Sequence, residues 1–401
     1  MRRRRFLGAI GGAGASMLPF GARAQTIRPI RIGVLGDRSG IGKTASGPPT
    51  LEAARMAATD VGRMSDGRWI EVHSTEFQLR PDDAVRIARQ WFDTDGVDAI
   101  VDVPTAAAAA AVQELARQRN RTFMATSTFN AALTGKACTR TASHWADDSL
   151  TLTNAIARAV TAMGPRTWFM IGPDTTISQS LQYDATKAIE AMGGRVIGLA
   201  RYPAGAEDMA SAIAQAKASG AAAVGLCDFG DGLRAVLRQG RALGLFDDGR
   251  QVAAYLVAIG DIHDVGLDVA QGLLIANSFY WDMNDQTRAF AQRIMNATGS
   301  MPGKPQAATY AAIRHFARAA IAAETMDAEA LNLEMRRAPV YFFGRVGRVR
   351  LDGRMTLDMT VYRVKPPAKS RDPWDCYEPA ANIPVALAYR SINQGGCSAV
   401  P

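Results

Sequence analysis

Only four histidines and four cysteines occur in the 401 residues. His73, His144, His263 and His315 are far apart, and none forms H-E-x-x-H or stands near a cysteine at metal-ligand spacing. Cys138, Cys227, Cys376 and Cys397 are scattered too, which excludes a zinc ribbon and a C-x-x-C redox pair. No G-x-S-x-G elbow is present. Acidic residues are plentiful, but spacing singles out no catalytic pair. The expectation is a chain with no catalytic residue, no metal and no cofactor. Long charged or Pro-rich tracts are also missing, and 48% of residues are hydrophobic, so the composition is that of a globular protein. At this length two domains are expected rather than one.

Long hydrophobic runs are absent as well. The apolar stretch nearest the start, from Phe6 to Phe20, is too short and glycine-rich to span a bilayer. It follows Arg2 to Arg5 and precedes Ala22-Arg23-Ala24, an A-x-A cleavage site, so residues 1–24 read as a signal peptide. "RRRRFL" contains R-R-x-F-L, so Tat and Sec export are both open. The expected location is the periplasm. Loss of Arg2, Arg3, Arg4, Arg5 and Arg23 with the signal takes the formal charge from +8 to +3. The basic balance is therefore largely an export feature, and no nucleic-acid partner is expected.

"GVLGDRSGIGKT", from Gly33 to Thr44, ends like a phosphate-binding loop. That loop needs G-x-x-x-x-G-K-[ST], and Asp37 stands where its first glycine belongs. Its amides surround a phosphate at one loop length only. Gly47, Pro48 and Pro49 also oppose a helix starting at Lys43. A nucleotide site is not expected here.

From Arg28 onward short apolar runs alternate with helical patterns. "IRIGVLG" reads as a buried strand, with Thr50 capping a helix whose stripe is Leu51, Ala54, Ala57, Ala58 and Val61. Met56 falls off that stripe. "PDDAVRIARQWFD" is a helix with Pro81 in its first turn, and Thr105 caps the alanine-rich helix that follows "VDAIVDV". The rhythm recurs through "TWFMIGP", "RVIGLARY" and "AAAVGLCD". A hairpin turning at Asp352-Gly353 is expected in the tail. Such alternation means α/β architecture, with parallel sheets covered by helices on both faces.

Ligands bind such sheets at the carboxyl ends of strands, where strand order reverses. Four loops occupy strand ends: 36–49, 104–107, 125–130 and 227–232. The helix from Ala106 offers free N–H groups beside the Thr105 hydroxyl, which would suit a carboxylate. As an N-cap, Thr105 would do no more than close the helix. Phe279, Tyr280 and Trp281 are consecutive on a strand end, so they cannot all face one core. At least one is expected to face a second lobe or a crevice, and Tyr280 is counted as a candidate ligand contact.

"IRIGVLGDRSG…SGPPTLEAARMAATDVG", "IARQWFDTDGVDAIVDVPTAAAAAAVQELA", "LTGKACTRTASHW", "VAQGLLIANSFYWDMND" and "DGRMTLDMTVYRVK" together span nearly the whole chain past residue 25. Through them the chain resembles the type I periplasmic solute-binding proteins of ABC transporters. It looks most like the branched-chain amino-acid-binding (leucine/isoleucine/valine) group, in a branch for aromatic or small carboxylates. The resemblance implies two Rossmann-like lobes with a three-crossing hinge. Lobe one would be 25–146 plus 281–355, and lobe two 147–280 plus 356–401. By that likeness Ser39, Pro104, Thr105, Ser127 and Thr128 would hold a ligand carboxylate. Thr175, Asp228, Phe229 and Asp261 would close over it. Thr175 stands where many relatives have tyrosine. Asp228 and Asp231 would meet a cationic group or only cap a helix. The likeness also pairs Cys138 with Cys397, with no such support for Cys227 or Cys376. It implies a monomer that binds a small molecule without turnover and hands it to an inner-membrane ABC permease. A sensory module presenting the same solute to a membrane receptor is the alternative, and an exported enzyme on this scaffold is a third reading.

Overall fold

The computed structural model describes residues 27–40 and 42–400, and the expected signal peptide lies outside them. Five strands form a wholly parallel sheet in the order Ile70–Glu76, Ile30–Gly36, Ala99–Asp102, Thr122–Ala125, Ala142–His144. Strand Ile30–Gly36 is apolar because both faces are covered. Gly33 is required there by close approach: a Cβ on it would lie 2.3 Å from the Trp91 ring. Trp91 belongs to helix Pro81–Asp93, which packs on the sheet as its periodicity predicts.

The second sheet has seven strands. Its parallel part runs Arg195–Tyr202, Thr167–Pro173, Ala223–Leu226, Gln251–Ala254, Leu274–Asn277. Met359–Val364 and Tyr377–Ile383 extend it antiparallel, so this sheet is mixed rather than purely parallel. The expected hairpin is real but short: Arg345–Val349 pairs with Met355–Thr356, with Gly353 at φ +85°. Its outgoing arm then continues into the second sheet.

Two local expectations fail. The turn from Lys43 stops at Ser46, as Gly47, Pro48 and Pro49 dictate, but the prolines then open helix Pro48–Val61, which starts ahead of the expected Thr50 cap. Proline suits the first helical position because no N–H is needed there. Thr50 is consequently inside the helix, and Gly47 is its cap. Met56 is buried against helix Lys304–Ala322 in the first core, not off the packed stripe.

The chain passes between the sheets at 145–148, at 278–284 and at 357–358. Polar side chains bind these crossings together. The Asp147 carboxylate accepts from Ser278 N at 3.0 Å and Ser278 Oγ at 2.7 Å. Lys304 donates to Ser278 Oγ at 2.7 Å and lies 3.6 Å from Asp147. Arg345 donates to the carbonyls of Ser278 and Asp358, and so reaches the third crossing. Beside them, buried Arg354 donates to His144 Nδ1 at 3.0 Å and pairs with Asp148 at 3.4 Å. His144 then donates from Nε2 to the Thr128 carbonyl at 2.7 Å. Burial and the Arg354 charge hold this histidine neutral, with its pKa pushed down to about 3.

The tail stays on the second lobe through Tyr389, where Asn154 and Arg158 donate to the Ala388 and Leu387 carbonyls, and only its last residues reach the first lobe. Arg390 donates to the Ala131 carbonyl at 2.9 Å, and Cys397 is disulfide-bonded to Cys138 with Cα atoms 5.5 Å apart. Cys227 and Cys376 are buried free thiols. Among the described residues no helix is long and apolar enough to cross a membrane.

Candidate functional site

Strand order reverses beside Ile30–Gly36 in the first sheet and beside Thr167–Pro173 in the second. Each reversal opens a crevice at the carboxyl ends of its strands. The first is flanked by the loops after Gly36 and Asp102. The second is flanked by the loops after Pro173 and Leu226. Ten candidate residues were expected at or near these ends, and the structure sorts them sharply.

In the first lobe, Asp102 and Ala125 are register partners on adjacent strands. Thr105 and Thr128 each lie three residues beyond, at the same end. Thr105 is the N-cap of helix Ala106–Gln118, but its side chain makes no capping hydrogen bond. Its Oγ1 is buried and has no hydrogen-bond partner among the described residues, and the same holds for Thr128 Oγ1. Buried hydroxyls are almost always paired, so these two leave free hydrogen-bonding capacity at one sheet end. Pro104 precedes Thr105 and is half-buried. Phe129, next to Thr128, packs against the core of the second lobe, so this loop faces across the interlobe gap.

Ser127 is committed elsewhere: its hydroxyl donates to Asp102, a buried carboxyl that also accepts from Ser46 Oγ at 2.6 Å. Ser46 in turn accepts from Asp37 N at 3.0 Å. Asp37 accepts from Gly40 N and Gly42 N, each at 2.7 Å. The amides that a phosphate loop would offer to a nucleotide are thus consumed by the loop's own carboxylate. Burial outweighs the two serine hydrogen bonds and pushes the Asp102 carboxyl up to about 7. Asp102 and Val103 have φ of +83° and +60°. Positive φ at two successive non-glycine residues is backbone strain, and such strain gathers at functional sites. Sequence reasoning missed this Asp102–Ser46–Asp37 cluster. One signal was available: an aspartate inside the apolar run "AIVDV".

Ser39 is exposed and gives its hydroxyl to Glu76 at 2.5 Å. A cavity of about 460 Å³ opens beside it, between Asp37, Ser39, Glu76 and Phe77. Two carboxylates at its edge disfavour an anionic guest. Ser39 is therefore less suited to an anion than the Thr105–Thr128 pair.

The polar second-lobe candidates are internally paired. Thr175 caps helix Thr176–Ala191, accepting from Ser178 N at 3.3 Å. Asp228 accepts from Tyr202 OH at 2.6 Å and Phe229 N at 2.8 Å, and burial raises its pKa. Asp261 accepts from Ala258 N at 3.0 Å and Arg234 at 2.5 Å. Asp231 pairs with the same arginine. Phe229 is half-buried at the helix start beyond Leu226. Tyr280 is not at a strand-end loop surface. It is 6% exposed, packs on Tyr362 and Tyr377, and donates to the Trp374 carbonyl at 3.3 Å. The aromatic trio lies beyond strand Leu274–Asn277, in the crossing, and divides between two cores: Phe279 enters the first, Tyr280 and Trp281 the second.

Residues 29–371 match the family model described as periplasmic binding protein. No curated protein matches the chain. A periplasmic binding protein from Burkholderia mallei is 30% identical, with a TM-score of 0.84, over 93% of this chain and 99% of that one. A periplasmic ligand-binding protein of a branched-chain amino acid ABC transporter, from Burkholderia xenovorans LB400, is 30% identical. Its TM-score is 0.87, over 92% of this chain and 99% of that one. A solute-binding protein of an ABC transporter from R. palustris, in complex with 4-hydroxybenzoate, shares the fold at 15% identity. Its TM-score is 0.79, over 90% of this chain and 98% of that one. The chain therefore belongs to the periplasmic binding protein family, with its two α/β lobes.

Proposed function

We propose that the protein is an extracytoplasmic solute-binding protein that delivers a small organic carboxylate to an inner-membrane ABC permease. The cargo class is an amino acid or an aromatic or aliphatic acid. The protein is exported by its N-terminal signal and acts as a monomer, by binding and release without turnover. The observation that carries this reading is the pair of buried, unpartnered hydroxyls of Thr105 and Thr128 at one sheet end. A carboxylate there would accept from both hydroxyls and face the N-terminus of helix Ala106–Gln118, whose dipole favours a negative charge. Pro104 and Ser127 shape that end, and Phe229 offers an aromatic edge from the other lobe. Closure bends the chain at 145–148, 278–284 and 357–358, and cargo contacts shift the open–closed balance.

A thermal-shift panel tests the reading. Benzoate, 4-hydroxybenzoate, leucine and aliphatic acids at millimolar concentration are compared with their amides. A ligand bound only by the folded state raises the melting temperature, by about 2.7 kcal/mol of stabilisation at a hundred times its Kd. At least one acid should raise it, and its amide should do so less. No shift by any acid, with no small molecule retained in native mass spectrometry, would overturn the reading.

A further inference from the structure

On the first lobe a cavity of about 480 Å³ opens between helices Asp285–Thr298 and Lys304–Ala322 and the hairpin Val340–Val349. Four guanidiniums line it, from Arg293, Arg314, Arg318 and Arg345, and no aspartate or glutamate does. Two are already committed. Arg293 forms a two-pronged pair with Asp60 at 2.7 and 2.9 Å, and Arg345 is held by the backbone of two crossings. The other two form no ion pair among the described residues. Arg314 donates to Tyr310 OH at 3.0 Å and lies over that ring, 5.2 Å from its centroid. Arg318 lies over Tyr341 at 5.1 Å. Each guanidinium lies within cation–π range of its ring, with no carboxylate bonded to it among the described residues.

We propose that this cavity is a second binding site, for a small anion carrying two or more negative charges, such as a tricarboxylate or a phosphate. Like charges gathered in one concavity repel, and a multivalent anion relieves that repulsion. Planar guanidinium forks suit carboxylate and phosphoryl oxygens equally. The cargo crevice differs in kind, since it offers neutral hydroxyls and a helix end to a single carboxylate.

Citrate and inorganic phosphate, titrated separately into the chain by calorimetry, test this. One of them should bind saturably at one site, and the tighter one assigns the chemistry. Arg314→Gln with Arg318→Gln should weaken binding at least about ten-fold, which is 1.4 kcal/mol. Arg318→Gln alone, at an exposed position, should weaken it in the same direction if the double variant folds poorly. Lys187→Gln with Lys369→Gln removes the same net charge from exposed sites and should leave binding unchanged. No saturable binding of either probe, equal binding by wild type and the arginine variant, or equal loss in the lysine control would each overturn the proposal.

Discussion

Asp102→Asn should make the protein more stable relative to wild type as pH rises from 4 to 7. The Asp102 carboxyl is fully buried between Ser46 and Ser127, and burial pushes its pKa up to about 7 from 3.8. A folded pKa above the unfolded one favours the fold below the unfolded value. That stabilisation is lost as pH climbs through the folded value. Between pH 4 and 7 the unfolded chain sheds this proton freely while the folded chain must keep it or bury a charge. At 1.36 kcal/mol per unit, the relative gain of the asparagine variant approaches about 4 kcal/mol by pH 7. Asparagine keeps the shape, can accept from one serine and donate to the other, and tolerates the φ of +83°. Urea unfolding of both proteins across this range measures the difference. A difference that stays flat with pH would show that Asp102 does not titrate as its surroundings dictate.

Asp147→Ala should cost about 3–5 kcal/mol, the usual penalty for stripping a buried charge of its partner. Asp147 and Lys304 are each 5% exposed, and Asp147 also takes both Ser278 hydrogen bonds at the hinge. Burial already pulls the Lys304 ammonium down to about 8 even with Asp147 present. Its other polar contact is Ser278 Oγ, with the Phe342 ring 4.6 Å away. Adding Lys304→Met removes the orphaned charge and offers the ring an apolar neighbour. The double variant should therefore recover part of the loss, giving a coupling of about 1–3 kcal/mol in a double-mutant cycle by denaturant unfolding. Simple additivity would mean that the two groups do not act as a pair.

How much of this was legible depends on the range of each signal. Strand Ile30–Gly36, helix Pro81–Asp93 and the start of helix Ala106–Gln118 follow from local periodicity and caps, and the sequence predicts them closely. The Thr105 position was readable for the same reason. That its hydroxyl is unpaired was not, because a free cap and a satisfied one look alike in sequence. Asp102 was missed because its serine partners come from residues 46 and 127, joined only by strand order. The burial of Tyr280 was not readable because the trio lies past the end of strand Leu274–Asn277, where alternation no longer sorts side chains, and Tyr280 and Trp281 join one core. Pro48–Pro49 ends the turn from Lys43 as read, but the same residues also open the next helix, so Thr50 lies inside it and is not its cap. The second-lobe aspartates could not be judged without Tyr202 and Arg234, which reach them across the fold.

The central claim is that Thr105 holds a cargo carboxylate. Its direct test compares wild type with Thr105→Val against the tightest-binding acid of the panel and against that acid's amide, by calorimetry. Valine keeps the shape and removes the hydroxyl. A hydrogen bond to a charged group contributes about 1.5–3 kcal/mol, and one to a neutral group about 0.5–1.5. The acid should therefore lose roughly ten-fold or more in affinity, and the amide only a few-fold. Equal losses for acid and amide would contradict the account and leave Thr105 as a helix cap alone.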